Sequence, residues 1–265
     1  MKTFHSRHAR ALALAFAFAA GSFGVANATG TPHNLAVMSF VGDSIQVVTY
    51  EGRPGRLTDA NERTSVPFEQ AKLDLVALKA AGEAAQSAEP RASVALLSAS
   101  EPALFVDQGA WFDGDHVHLP EAIAAAVARE HADQLLLVTK YRGAAHIRLK
   151  SSITGSGNLE GMGFYVDTQL PIRDADSDRL GRGYIAPYAY IEATLIDVAS
   201  GTVLRQSRIA EGYSLAAARS KDDSDAWSVL TPRQKIDTLR RLLDRQLRKA
   251  VPELFAQRAH SSGAE

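Results

Sequence analysis

Cysteine is absent from all 265 residues of this sequence. Its absence excludes disulfide bonds, thiolate metal sites, a cysteine nucleophile and lipid attachment at an N-terminal cysteine. A chain without disulfide bonds depends on its hydrophobic core for stability. The length is sufficient for one large domain with such a core.

An excess of charge of either sign is also absent. Lysine and arginine number 29 and aspartate and glutamate 30, which gives a formal net charge of −1. This balance gives no general attraction to nucleic acid or to an anionic membrane surface. After residue 28, no apolar run reaches the roughly 20 residues that a membrane-spanning helix needs. We therefore expect a soluble mature chain without a transmembrane segment.

The N-terminus has the three parts of a secretory signal peptide. Basic residues lie within the first ten positions, an uncharged alanine-rich run covers residues 11–20, and Ala26-Asn27-Ala28 has the small-x-small pattern of a cleavage site. We expect residues 1–28 to be cleaved and the mature protein to begin at Thr29. The sequence thus predicts export to the periplasm.

The segment from Tyr184 to Tyr213 predicts a β-hairpin at the centre of the fold. Two runs rich in β-branched and aromatic residues flank the short connection Ala199-Ser200-Gly201. Gly201 accommodates a positive φ and favours a type I turn with a glycine bulge. Apolar residues on both faces indicate strands covered on both sides. The expected cross-strand pairs are Ile191 with Ile209, Glu192 with Arg208, and Ile196 with Leu204.

Strands and helices alternate along the rest of the chain. The expected order is strands over 34–41 and 44–51 joined as an N-terminal hairpin at Gly42-Asp43, a helix over 67–87, a strand over 92–98, a helix from Pro120, a strand over 133–141, and a C-terminal helix over 232–251 that Pro252 ends. Such alternation favours crossover units with partly parallel pairing.

These elements predict an α/β fold (mixed α+β). We expect one domain over residues 29–255, a mixed sheet covered by helices, and a disordered tail at 256–265. The glycine-punctuated region from Gly143 to Gly183 predicts an exposed excursion from the sheet.

One candidate catalytic set resembles the SGNH (GDSL-type) hydrolases. Val41-Gly42-Asp43-Ser44 is similar to their nucleophile block, and the segment from Asp115 to His118 is similar to their Asp-x-x-His block. That resemblance implies an esterase in which Ser44 attacks, His118 is the base and Asp115 orients it. A strand follows Ser44 where that family has a helix, and the oxyanion blocks are missing. The alternative interpretation is that the first segment is a hairpin turn and the second a loop.

Three weaker patterns suggest metal or cofactor sites. His116 and His118 with Asp113 and Asp115 lack a third histidine at ligand spacing, so polar surface residues ahead of a helix are the better interpretation. Asp174, Asp176 and Asp178 begin like a calcium loop, but Arg179 stands where that loop needs glycine. The glycines from Gly155 to Gly161 are not followed by a helix, as a nucleotide loop requires. We therefore predict neither a metal nor a cofactor.

Two surfaces are candidate partner-binding sites. The C-terminal helix carries a basic face that includes Arg240, Arg241 and Arg245, which suits an acidic envelope protein or polymer; a solvated face is the alternative. Tyr184 and Tyr188 flank the glycine-rich region and predict a recognition edge, although packing explains them equally well.

The segment Ala193 to Leu204 resembles a hairpin of periplasmic α/β domains. These are the domains of the curli-secretion lipoprotein, the outer-membrane activators of penicillin-binding proteins, and the N-terminal part of the Tol-system propeller protein. The resemblance implies envelope assembly or partner binding without catalysis. It carries over no functional residue. The sequence as a whole predicts an exported periplasmic protein that binds a partner in the envelope.

Overall fold

The computed structural model describes residues 33–52, 59, 61–174, 178–217 and 226–256. The expected signal peptide, the start at Thr29 and the tail beyond Ala256 lie outside these residues, as does Asp176.

The described residues form a mixed α/β fold, as the sequence predicted, with strands and three α-helices. The strands are β1 (Asn34–Ser39), β2 (Ser44–Thr49), β3 (Glu62–Pro67), β4 (Ser93–Leu97), β5 (Phe112–Asp113), β6 (His116–Val117), β7 (Gln134–Lys140), β8 (Arg142–Ala144), β9 (Ile147–Arg148), β10 (Ile153–Thr154), β11 (Asn158–Arg173), β12 (Leu180–Asp197), β13 (Thr202–Gly212) and β14 (Leu215–Ala216). The helices are α1 (Leu73–Ala88), α2 (Glu121–Arg129) and α3 (Pro232–Ala256).

Strand β12 is the centre of the sheet. Its first half pairs antiparallel with β11, its second half pairs along the same edge with β7, and its other edge pairs with β13. Residues 183–196 of β12 are buried without interruption. The prediction of central strands covered on both faces is therefore confirmed.

The register of the β12–β13 hairpin is confirmed at two of the three expected pairs. Ile191 lies opposite Ile209 and Glu192 lies opposite Arg208. Ile196 lies opposite Val203 because a bulge follows Leu195 and shifts the pairing there. Such a bulge adds one residue to one strand only, which sequence spacing does not reveal.

The connection between β12 and β13 is an Asp-centred turn. Gly201 has a φ of +68° and its N–H donates to the Asp197 carbonyl oxygen at 2.9 Å. The Asp197 carboxylate accepts hydrogen bonds from the backbone N–H and the hydroxyl of Ser200. These bonds also lower the pKa of Asp197, because they stabilise its ionised form.

Strands β4, β1 and β7 form a parallel unit in that order. Helix α1 packs in the core on one face of the sheet, and α2 packs in the core on the other. The expected crossover units are therefore present, with β1 as their middle strand.

The predicted hairpin between the first two strands is wrong. Strand β1 pairs with β4 and β7, whereas β2 pairs antiparallel with β3 and parallel with β11. Leu35 to Val41 are buried throughout, as expected of a parallel strand covered on both faces. Gly42 and Asp43 therefore carry the chain out of one strand pair and into another.

Two helix boundaries differ from expectation. Val66 and Pro67 still belong to β3, and α1 begins only at Leu73 after a short 3₁₀ turn. Helix α3 continues through Pro252 to Ala256, although proline disfavours a helix interior. Leu254 and Phe255 beyond it are buried in the core, which compensates for the lost hydrogen bond. The capping box is confirmed, since Thr231 and Gln234 bond reciprocally through side chain and backbone N–H.

The predicted excursion between Gly143 and Gly183 is wrong for most of its length. Strand β11 runs for 16 residues and pairs with both β12 and β2. A Cβ atom at Gly163 would lie 1.9 Å from the Gln46 carbonyl oxygen. Glycine is present here because two backbones approach closely, and not because the chain turns.

Candidate ligand-binding cleft

A cleft of about 1380 Å³ opens where β1, β4 and β7 end. It is lined by Gly42 after β1, Ser100 after β4 and Lys140 at the end of β7, together with residues of β2, β3 and β11. Helix α1 precedes β4 in the chain and packs on one face of the sheet. Helix α2 precedes β7 and packs on the other face. Strand ends diverge at such a switch point, and open α/β sheets bind ligands in the crevice outside it.

Gln108 forms the base of the cleft. Its side-chain amide donates to the Phe40 carbonyl oxygen at 2.7 Å, and its Oε1 accepts from the Lys140 N–H at 2.9 Å. The side chain is only 4 % exposed. It thus satisfies the backbone groups left free where β1 and β7 separate.

Asp74 lies on one wall, in the first turn of α1. Its Oδ1 accepts hydrogen bonds from the Ser39 hydroxyl at 2.7 Å and from the Gly42 N–H at 3.1 Å. Burial raises the pKa of Asp74 above its ordinary value, although these hydrogen bonds act in the opposite direction. Asp43 stands beside it and accepts a hydrogen bond from the Asp74 N–H at 3.2 Å.

Lys140 supplies a positive charge to the same cleft. Its Nζ donates to the Phe105 carbonyl oxygen at 3.0 Å, which is its one acceptor among the described residues. Burial lowers the pKa of Lys140, while the charges of Glu160 and Asp74 act in the opposite direction. An ammonium carries three donors, so Lys140 retains capacity to bind a ligand.

Left-handed backbone conformations cluster at this cleft. Gly42 has a φ of +73°, Lys72 of +45°, Asp107 of +53° and Gly161 of +64°, and all four residues line it. For Lys72 and Asp107 this conformation is strained, because their Cβ atoms crowd the backbone. Strained residues concentrate at functional sites, where the surrounding structure holds them in place.

The rim of the cleft includes exposed apolar side chains. Leu75 is 56 % and Val106 68 % exposed, and Phe105, Met162 and Pro67 also line the space. The cleft therefore combines apolar surface with charges of both signs, as ligand sites commonly do.

The three residues of the esterase hypothesis are not assembled into a site. Ser44 lines the cleft, but His118 and Asp115 do not. His118 follows β6, and β11, β12 and β13 lie between β2 and β6 in the sheet. The base is thus held far across the sheet from the hydroxyl it would have to deprotonate.

The other sequence patterns lie in turns and ribbons. His116 and Asp113 pair in the β5–β6 ribbon, and the described residues contain no cluster of three or more side chains able to hold a metal ion. Asp174 and Asp178 belong to the turn between β11 and β12, where Asp178 forms an ion pair with Arg173. Gly155 and Gly161 flank the start of β11, a strand and not the helix of a nucleotide site.

The prediction that Tyr184 and Tyr188 form a recognition edge is wrong for this conformation. Both are fully buried in an apolar cluster that includes Tyr165 and Tyr190. Burial raises the pKa of each of these phenols. The hydroxyl of Tyr188 donates to the Gln46 carbonyl oxygen at 3.3 Å, so this residue links β12 to β2.

The basic residues of α3 divide into two groups. Arg240 is half-buried and donates from Nε to the Ala71 carbonyl oxygen at 2.7 Å, so it helps to hold the start of α1. Arg241 and Arg245 are exposed and form no ion pair with another described residue. Their charges act on Tyr213, beside which Arg245 and Lys249 line a shallow depression of about 530 Å³.

No family model matches this chain, and no curated protein is significantly similar to it. Three solved structures show distant similarity. Protein XCC0632 from Xanthomonas campestris is 9 % identical, with 88 % of each chain covered and a TM-score of 0.35. A putative neuraminyllactose-binding hemagglutinin homolog from Helicobacter pylori is 8 % identical, with 82 % of this chain and 86 % of that chain covered and a TM-score of 0.36. The hypothetical protein CT253 from Chlamydia trachomatis is 12 % identical, with 83 % and 98 % covered and a TM-score of 0.28. Similarities this distant do not assign a function.

Among the described residues, none of the helices combines the length and the apolar character that crossing a bilayer requires.

Sequence reasoning missed Gln108, Asp74 and Lys140. A signal existed for one of them, because Lys140 ends the otherwise apolar run of β7 and so places a charge at a strand terminus. Gln108 and Asp74 belong to no recognisable sequence motif, and only the packing of distant segments brings them together.

Proposed function

We propose that this chain is an exported periplasmic protein that binds a ligand or partner of the cell envelope without catalysing a reaction. The observation that carries the proposal is the cleft at the switch point of β1 and β7, with charges of both signs and strained backbone around it. His118, the base of the esterase hypothesis, does not line the cleft with Ser44. The N-terminal signal pattern and the resemblance to periplasmic domains support the proposed compartment.

Blocking the cleft should abolish binding. Ser65 and Thr64 are adjacent exposed residues of β3, and only Ser65 lines the cleft. Successive strand residues point to opposite faces, so Ser65→Trp narrows the cleft and Thr64→Trp is its matched control. Native mass spectrometry of protein from the periplasmic fraction should show a bound species on the wild type and on Thr64→Trp, reduced at least tenfold on Ser65→Trp.

Equal occupancy of both tryptophan variants would contradict binding in the cleft. The same preparation tests export, since the periplasmic protein should lack residues 1–28. Recovery of the uncut chain from the cytosol would contradict the proposed compartment.

The exposed face of α3 is a second candidate, for docking an acidic segment of an envelope protein. Arg241 and Arg245 are four residues apart, so their Cα atoms are about 6 Å apart along the helix axis. Alternate residues of an extended chain are separated by a similar distance, roughly 6.6 Å. An extended acidic segment therefore matches the two unpaired cations.

Reversal of this charge should remove the interaction. Arg241→Glu/Arg245→Glu is expected to retain at least fivefold less protein from an envelope extract than the wild type does, because a cationic surface becomes anionic. Arg233→Glu/Arg129→Glu makes the same charge change on exposed helical residues elsewhere. If the two double variants retained equal amounts of envelope protein, an acidic protein partner for Arg241 and Arg245 would be contradicted. It would also be contradicted if the wild type retained polysaccharide and not protein.

A further inference from the structure

We propose that the cleft binds a short peptide with free termini, whose ammonium group is held by Asp74 and whose carboxylate is held by Lys140. This ligand assignment rests on the proposed binding function of the cleft.

Asp74 and Lys140 contribute charges of opposite sign to the lining of the cleft. Asp74 lies beside the end of β1, where it accepts hydrogen bonds from Ser39 and Gly42. Lys140 is the last residue of the neighbouring strand β7. The two described side chains form no ion pair with each other, yet the charge of Asp74 acts on Lys140. A ligand with one charge of each sign is complementary to this arrangement.

Both charges are partly buried in the free protein. Burial disfavours the ionised form of Asp74 and of Lys140, which is why one pKa is raised and the other lowered. Because the pKa of Asp74 is raised, the stability that its protonated form contributes is present below the ordinary value of 3.8. That contribution is lost as the pH rises through the folded-state pKa. At neutral pH this carboxylate thus detracts from stability, whereas a ligand ammonium would compensate it.

The size and apolar surface of the cleft favour a peptide over a single amino acid. Its volume of about 1380 Å³ exceeds the roughly 300–1,000 Å³ typical of small-molecule sites. Leu75 and Val106 at the rim, together with the partly exposed Phe105, can pack against ligand side chains. The hydroxyl groups of the exposed residues Ser44, Ser65 and Ser100 can bond to peptide amides.

Isothermal titration calorimetry with Ala-Leu-Ala, its N-acetyl form and its C-terminal amide tests the assignment. Acetylation neutralises the ammonium group and amidation neutralises the carboxylate, so each modification removes one charge-assisted hydrogen bond. Each should weaken binding by about tenfold or more.

Charge-removing variants should reproduce these losses selectively. Asp74→Asn is expected to bind the free peptide about tenfold more weakly and the N-acetyl peptide as well as the wild type does. Lys140→Met should show the reciprocal pattern with the amide. Asp113→Asn and Lys79→Met make the same changes at exposed positions outside the cleft and should have no effect. Asparagine still accepts from Ser39 and Gly42 and removes a partly buried charge, so an unfolding temperature of Asp74→Asn at or above that of the wild type confirms that the loss concerns binding.

Two results would overturn the inference. One is equal affinity for the free and both blocked peptides. The other is that calorimetry detects no heat of binding at millimolar peptide, while native mass spectrometry still shows a bound species that Ser65→Trp removes. In that case the cleft binds another ligand, and the proposed function stands. If that species is absent as well, both proposals fail.

Discussion

Gly163→Ala is expected to lower the free energy of unfolding by about 3 kcal/mol or more, at the upper end of overpacking effects. The new Cβ would stand 1.9 Å from the Gln46 carbonyl oxygen and 2.7 Å from the Tyr188 hydroxyl. Gln46 is the parallel partner of Gly163, so neither backbone can move without breaking the pairing of β2 with β11. Because these strands form one side of the cleft, the substitution should also reduce ligand binding.

Gly109→Ala is the matched control for the predicted loss of stability. Gly109 is exposed, and no described heavy atom outside its chain neighbours lies within 4 Å of an added Cβ. Its free energy of unfolding should change by no more than about 0.5 kcal/mol. Urea unfolding followed by circular dichroism measures both values. Similar stability of the two variants would show that β2 and β11 are not in close contact at Gly163.

Gln108→Met should destabilise the protein by about 3 kcal/mol. Methionine has a similar shape but leaves the Lys140 N–H and the Phe40 carbonyl oxygen without their present partners. An unsatisfied buried polar group costs about 1–3 kcal/mol, and here two are created. The loss should be accompanied by weaker ligand binding, since both groups belong to the strand ends that form the cleft.

Gln86→Met provides the comparison. Gln86 is exposed in α1 and its amide bonds only weakly, at 3.3 Å, to the carbonyl oxygens of Pro90 and Ala92. Water can replace the lost bonds there, so we expect a change below about 0.5 kcal/mol. Chemical denaturation measures the free energy of unfolding of both variants. If Gln108→Met lost no more stability than Gln86→Met, the structural role of Gln108 would be refuted.

The hairpin of β12 and β13 was predictable because its signals are local. Strand-forming residues on both sides of Gly201 specify a turn and, from it, the pairs Ile191–Ile209 and Glu192–Arg208. The capping box of Thr231 and Gln234 was predictable for the same reason. The bulge beyond Leu195 was not, because an extra residue in one strand leaves the hydrophobic pattern almost unchanged.

Incorrect predictions arose where sequence neighbours are not spatial neighbours. Gly42-Asp43 looks like a hairpin turn, but β1 pairs with β4 and β7 along its two edges, and α1 and α2 pack on the two faces of this unit. Gly161 and Gly163 look like loop residues, yet they lie within β11 and permit close contact with Lys140 and Gln46. A glycine required by packing and a glycine required by a turn are identical in sequence.

By itself the sequence determined the mixed α/β class, the central hairpin, the capped C-terminal helix and the absence of any thiol chemistry. These properties follow from periodicity, turn residues and composition, all of which act over a few neighbouring residues. Only the tertiary structure decided the partners of β1 and β2, the burial of Tyr184 and Tyr188, and the meeting of Asp74, Gln108 and Lys140 in one cleft. The reason is that each of these depends on contacts between segments far apart in the chain, whose choice is fixed by how the whole core packs.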